Sequence, residues 1–245
     1  MYSFGSGVLI GTRTDIANAT PINFGLVQEV TIDESANIKE LYGQFQRPVA
    51  IARGTIKTTG KAKVARISGI AFASLYYGVV PQAGQLATAF GEAGVVPASP
   101  FQVTVVNTAT YVADLGVLNA ATGLPLTKVA AAPATGQYSV SAAGVYTFAA
   151  ADTTKAMLIS YTYTIPTTGQ KFTVSNQLLG TTPTFSCVLY TTFQQQAITV
   201  SIANATSNKL SFGTKLEDFV MPEFDFSCFA DAANNIMTWS FAEAS

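Results

Sequence analysis

From Ile56 onward the chain alternates. Ile56, Thr58, Lys61, Lys63 and Arg66 interleave with small or apolar residues out to Ile67, which predicts one long strand with an irregularity at Gly60. The same two-residue period returns in Phe185–Tyr190, Ile198–Ile202 and Pro222–Cys228. A backbone with this period places successive side chains on opposite faces of a sheet, so the expected fold is mainly β. The stretch Ser68–Gly78 departs from it. There Ile67, Ile70, Ala71, Ser74 and Leu75 share a helical face, Ser68 can cap the start and Gly78 can close the end. One short helix lying across a sheet is predicted.

The chain closes with a second aromatic alternation. Phe224, Phe226, Cys228, Met237, Trp239 and Phe241 are expected to face the core of a β-hairpin that turns around Asp231–Asn235. Glu223, Asp225, Ser227, Thr238 and Ser240 then point the other way.

Between these regions the composition changes. Residues 97–168 hold four charged residues, Asp114, Lys128, Asp152 and Lys155, and are dominated by Ala, Thr, Val and Gly. Phe101–Val106, Gly116–Asn119, Gln137–Val140, Val145–Phe148 and Met157–Thr164 read as short strands separated by turns, the pattern of a small sandwich. The expected organisation is a discontinuous core domain, 1–96 and 169–245, with an Ig-like β domain inserted at 97–168. Pro97, Pro100 and Pro166 mark its borders.

Charge and chemistry narrow the function. Of 245 residues only 11% are charged, against about 25% in an ordinary globular chain. A net charge of −1 leaves little self-repulsion, so ordered self-association is expected. No basic block or basic-aromatic stripe points to nucleic-acid binding. The chain contains no histidine, which excludes Ser-His-Asp and Cys-His catalysis and His-ligated metals. Cys187 and Cys228 are too few for a zinc cluster; they read as reduced core thiols, with a bridge between adjacent strands as the alternative. Glu223 and Asp225 share a strand face near Glu217-Asp218, but no sugar platform accompanies them, and they read as a solvated face rather than a glycosidase pair. The expectation is therefore no enzyme, no catalytic residue, no metal and no cofactor. Met1–Gly7 lacks the basic start and apolar core of an export signal, and the uncharged interval Ile67–Gly91 is broken by Pro81 and polar residues, so neither export nor membrane insertion is expected.

The segment Lys39-Glu40-Leu41-Tyr42-Gly43-Gln44-Phe45-Gln46-Arg47-Pro48-Val49-Ala50 is a polar-aromatic excursion pinned by a glycine and a proline. With Ile38–Gly43 and Pro48–Gly54, the strand Ile56–Ile67, the short helix ending at Gly78 and the closing Met221–Phe226 and Phe229–Ala232, it resembles the major tail tube proteins of long-tailed bacteriophages. The similarity spans roughly 1–95 and 170–245. Val145–Thr164 is similar to an inserted β module of some phage structural proteins.

The resemblance implies a tail-tube-type β-sandwich or barrel core with one flanking helix. Six copies form a ring, and rings stack into a hollow virion tube through which DNA passes without specific binding. Other tail and baseplate proteins are implied as partners, with a sheath in contractile tails, and assembly in the host cytoplasm. The long loop Asp33–Pro48 then contacts the next ring through Asp33, Glu34, Lys39, Glu40, Leu41, Tyr42, Gln44, Phe45 and Arg47, with Tyr42 and Phe45 as anchors. Glu223 and Asp225 are expected near the lumen, and the inserted domain on the tube exterior. The competing reading is an adhesion module of a phage or bacterial surface structure whose insertion recognises a cell-surface glycan; exposed aromatics there would favour it, but Tyr111, Tyr138, Tyr146, Tyr161 and Tyr163 read mostly as strand-internal.

Overall fold

The computed structural model describes residues 5–66, 68–194 and 196–242. Four strands and a helix come first: β1 (Val8–Arg13), β2 (Ile22–Asn23), β3 (Val27–Tyr42), β4 (Pro48–Val64) and α1 (Gly69–Ala71, widening to a π-helical turn over Phe72–Tyr76). Then follow β5 (Gln82–Val95), β6 (Gln102–Thr104), β7 (Tyr111–Asn119), β8 (Thr127–Lys128), β9 (Gln137–Val140), β10 (Val145–Phe148) and β11 (Ala156–Lys171). The last four are β12 (Thr184–Phe193), β13 (Gln196–Ser211), β14 (Glu223–Phe229) and β15 (Met237–Phe241). The protein is mainly β, as the alternation predicts. It divides into two compact units, residues 1–81 with 172–245, and residues 82–171.

The first unit is one sheet in the order β2-β1-β12-β13-β14-β4-β3, with β15 also paired to β13. Its terminal strands, β2 and β3, are joined by only Phe24, Gly25 and Leu26. A flat row of seven strands at about 4.8 Å spacing would set its ends roughly 29 Å apart. The four Cα steps from Asn23 to Val27 reach about 14 Å at most. The sheet must therefore curl into an open barrel, and it does: the Phe24 ring meets Phe224, near the far end of the strand order, at 5.1 Å between centroids. Leu9, Val27, Val64, Phe185, Ile202, Phe224 and Phe226 are buried inside.

The helix packs against this core. The Ser68 hydroxyl accepts the Ala71 N–H at 3.3 Å and caps the first turn, while Gly78 leaves the last one at φ +68°. The π-turn changes which residues face inward: Ala71, Ala73 and Leu75 are buried, whereas Ile70, expected on that face, is exposed. Ile67 lies outside the described residues.

Two further expectations change. The expected irregularity does not fall at Gly60: residues 58–63 of β4 stay in register with β14. β14 and β15 do not form a hairpin. Both pair with β13, β14 along 204–211 and β15 along 198–202, so they act as one interrupted strand on the same edge. Phe224 and Phe226 are buried as expected, but Trp239 and Phe241 end in solvent, because the barrel has no wall opposite β15 to cover them.

The second unit is a two-layer sandwich, β6-β10-β9-β8 facing β5-β11-β7, closed over Tyr138, Tyr146, Phe148, Met157, Ile159 and Tyr161. It is wider than the predicted 97–168. β5 pairs with β11 along their lengths, from Gln82↔Lys171 to Val95↔Ala156, so the composition change at Pro97 falls inside the unit and Pro166 sits within a strand rather than at a border. A buried carboxylate organises the interior. Asp114 accepts from the Tyr138 and Tyr146 hydroxyls at 2.8 and 2.9 Å and from the Gly116 N–H at 3.0 Å, and pairs with Lys128 at 3.0 Å. Burial pushes the Asp114 pKa up, but the Lys128 contact, the two tyrosines and the Gly116 N–H together outweigh it and hold it below the usual carboxylate range.

Candidate assembly surfaces

The excursion after β3 is not a loop. β3 and β4 stay paired from Val27↔Val64 out to Tyr42↔Pro48, so most of the expected loop is strand and only 43–47 form the turn. β14 accompanies β4 only along Thr58–Lys63. Beyond it the ribbon stands alone for eight residues of β3, Ser35–Tyr42, roughly 27 Å at the ordinary strand rise.

Cross-strand partners share a face, and i, i+2 residues continue it. Val30 and Ile32 of β3 pair with Ala62 and Gly60 on the core side. Following that side outward gives Glu34, Ala36, Ile38, Glu40 and Tyr42 on β3, with Ile56, Arg53 and Ile51 as partners on β4. The core-facing row therefore continues past the barrel with nothing over it: Ile38, Tyr42, Ile51 and Ile56 are 57%, 55%, 64% and 48% exposed. The Tyr42 hydroxyl donates to the Glu40 carboxylate on the same face, which raises the Tyr42 pKa. Asp33, Lys39 and Leu41 point to the opposite side, and Gln44, Phe45 and Arg47 lie in the turn, where Phe45 is 79% exposed. Of the residues singled out from sequence, Tyr42 lies on this row, Leu41 on the opposite side and Phe45 in the turn; Ile38, Ile51 and Ile56 join the row through cross-strand register rather than local pattern.

The outer face of the barrel is split by charge. On β3, β4, β14 and the C-terminal half of β13, Lys63 pairs with Glu29 at 2.6 Å, Lys61 with Glu223 at 3.0 Å, and Lys209 with Glu223 at 3.5 Å and Asp225 at 4.0 Å. The Lys61 contact holds the Glu223 pKa below its usual value despite partial desolvation. Glu223 and Asp225 thus share the outward face as expected, but inside a ladder of lysines that offsets their charge.

Among the described residues, the outward positions of β1, β12, the N-terminal half of β13 and β15 carry no charge. On β1 the outward residues are Val8, Ile10 and Thr12, opposite Tyr190, Val188 and Ser186 of β12. Val188 and Tyr190 are in turn opposite Ser201 and Thr199 of β13, which face Thr238 and Ser240 of β15. Val8, Ile10, Val188 and Tyr190 form one half-exposed apolar cluster across two strands.

The remaining candidates resolve as interior structure. Cys187 on β12 and Cys228 on β14 are separated by β13, so the adjacent-strand bridge has no basis, and both thiols are free. Burial pushes their pKa values up to about 12 and about 11. Tyr138, Tyr146 and Tyr161 are buried, with Tyr111 and Tyr163 packed against them. Among the described residues no three His, Cys, Asp or Glu side chains gather as metal ligands. Compared with known proteins, the chain matches no family model and no curated sequence.

Proposed function

We propose that this chain is a structural virion protein that polymerises as stacked six-membered rings into a phage tail tube, the conduit for genome ejection. The observation that carries this reading is the arm: a two-stranded ribbon that projects from a barrel and carries Ile38, Tyr42, Ile51 and Ile56 into solvent, interspersed with Glu34, Glu40 and Arg53. Such a face is a liability on a solitary molecule and a contact surface on an assembling one. Low charge and the unpaired outer edge of β3 act in the same direction. A heterologous contact that closes gives a ring, and an axial contact through the arm extends rings into a tube. The sandwich unit decorates the exterior in this reading, where radial room exists. The insertion's tyrosines give the adhesion alternative no support, since Tyr138, Tyr146 and Tyr161 are buried in the sandwich and Tyr111 and Tyr163 pack against them.

Negative-stain microscopy of the concentrated protein tests the proposal. Hollow tubes or six-membered rings are expected. A protein that stays monomeric at high concentration, and is absent from the tail shafts of purified virions, overturns it.

A further inference from the structure

We infer that the sandwich unit pairs with the sandwich unit of a second copy, the outer face of its β5-β11-β7 sheet lying on the same face of the other about a twofold axis along β11. The inference goes beyond the tube reading and does not rest on it. A head-to-tail tube has no twofold axis relating its subunits, so this contact joins separate copies or separate tubes.

The two outer faces of the sandwich differ. On β11 the buried Met157, Ile159 and Tyr161 face the interior, so Leu158, Ser160 and Thr162 face out. Their cross-strand partners share that side: Ala93 and Thr88 on β5, and Leu118, Gly116 and Ala113 on β7. On the opposite sheet the outward Gln102, Thr104, Ser139 and Thr147 are polar, as a solvated face ordinarily is. The β5-β11-β7 face is not. Among the described residues none of its outward positions is charged, and Leu86, Phe90, Val95 and Leu115 stand in solvent, Phe90 at 87% exposure. A charged partner would lose hydration there with nothing to replace it, whereas an apolar sheet would not.

Shape selects a second copy as that sheet. A half-turn about the central strand β11 lays β5 of each copy over β7 of the other and keeps every cross-strand row level. The rows then match large with small. Phe90, in the bulge opposite Ser160, comes over Gly116, where an added Cβ would meet nothing within 4 Å. Ala93 comes over Leu118, and Thr88 over Ala113. Stacked sheets about 10 Å apart accommodate such interdigitation. Size sets the strength. Three strands from Leu86 to Val95 span roughly 14 Å by 30 Å. That is about 850 Å² counted over both partners, below the 1,200 Å² or so of a lasting specific interface. Single copies therefore pair weakly, and arrays of copies pair firmly through avidity.

Photo-crosslinking of the full chain carrying Phe90→p-benzoylphenylalanine tests this, with adducts mapped by mass spectrometry after mixing isotopically light and heavy protein. The expected adducts join light to heavy copies at residues 113–118. Light-to-heavy adducts concentrated anywhere else, or none at the highest soluble concentration, overturn the inference. Tubes without the expected adducts sink the pairing alone. The expected adducts in a protein that forms neither rings nor tubes keep it and sink the tube reading. Adding Ala93→Glu to the photo-reactive chain changes an exposed side chain and should leave the circular dichroism melt unchanged while cutting the light-to-heavy adduct yield at least tenfold. An unaltered yield in that variant also overturns the proposal.

Discussion

The Phe226 ring lies directly over Gly60: a Cβ built at position 60 would stand 2.1 Å from Phe226 Cζ. The two residues are cross-strand partners on β14 and β4, and the missing side chain is the space the ring fills. Gly60→Ala forces the ring off its seat and should destabilise the protein by about 1–3 kcal/mol. Urea unfolding measures it, and adding Phe226→Leu should recover part of the loss. A neutral Gly60→Ala would show that the ring has room to move.

Truncating the arm should separate stability from assembly. Tyr42→Ser with Phe45→Ser alters exposed side chains with few partners, so the unfolding free energy should stay within about 0.5 kcal/mol of the parent. Sedimentation of the concentrated protein should show large assemblies in the parent and none in the double variant.

Acid should weaken the sandwich unit first through Asp114. Its folded pKa lies below the unfolded value of about 3.9. The sign follows: its contribution is full above about pH 4 and is lost as pH falls through the lower folded value. Asp114→Asn should cost about 1.5–3 kcal/mol at neutral pH, the range for hydrogen bonds to a charged group. It should also flatten the fall in melting temperature between pH 5 and 2. An equally steep fall in the variant would assign the acid sensitivity elsewhere.

The two cysteines should be inert while the protein is folded. With their pKa values pushed up to about 12 and about 11, almost no thiolate exists at pH 8, and Cys187 is also inaccessible. Ellman's reagent should register both thiols rapidly only in denaturant. A fast native phase at Cys187 would contradict its burial.

The sandwich unit should be removable. Gln82 and Lys171 are paired on adjacent strands, so its two ends lie side by side and a short Gly-Ser linker can replace residues 82–171. The shortened protein should fold with its far-UV spectrum still β-rich and still assemble. A folded but non-assembling product would give the unit a part in the contacts between copies.

The sequence by itself determined what depends on neighbours along the chain. Alternation marked the strands because a half-buried strand needs apolar residues two apart, and Gln137–Val140 and Val145–Phe148 came out with their observed bounds. Ser68 and Gly78 marked the helix ends, since a cap and a left-handed exit are local requirements. Everything that depends on a distant partner was decided by the tertiary structure. Alternation gives two faces but not what covers them, so Trp239 and Phe241 read as core and ended exposed on β15. Gly60 read as an irregularity because the ring that occupies its space lies far away in the chain. The arm read as a loop because Ile38, Tyr42, Ile51 and Ile56 come onto one face, beside Glu34, Glu40 and Arg53, only once β3 and β4 are in register. The outer apolar cluster was invisible for the same reason: Val8 and Tyr190 become neighbours only when β1 pairs with β12.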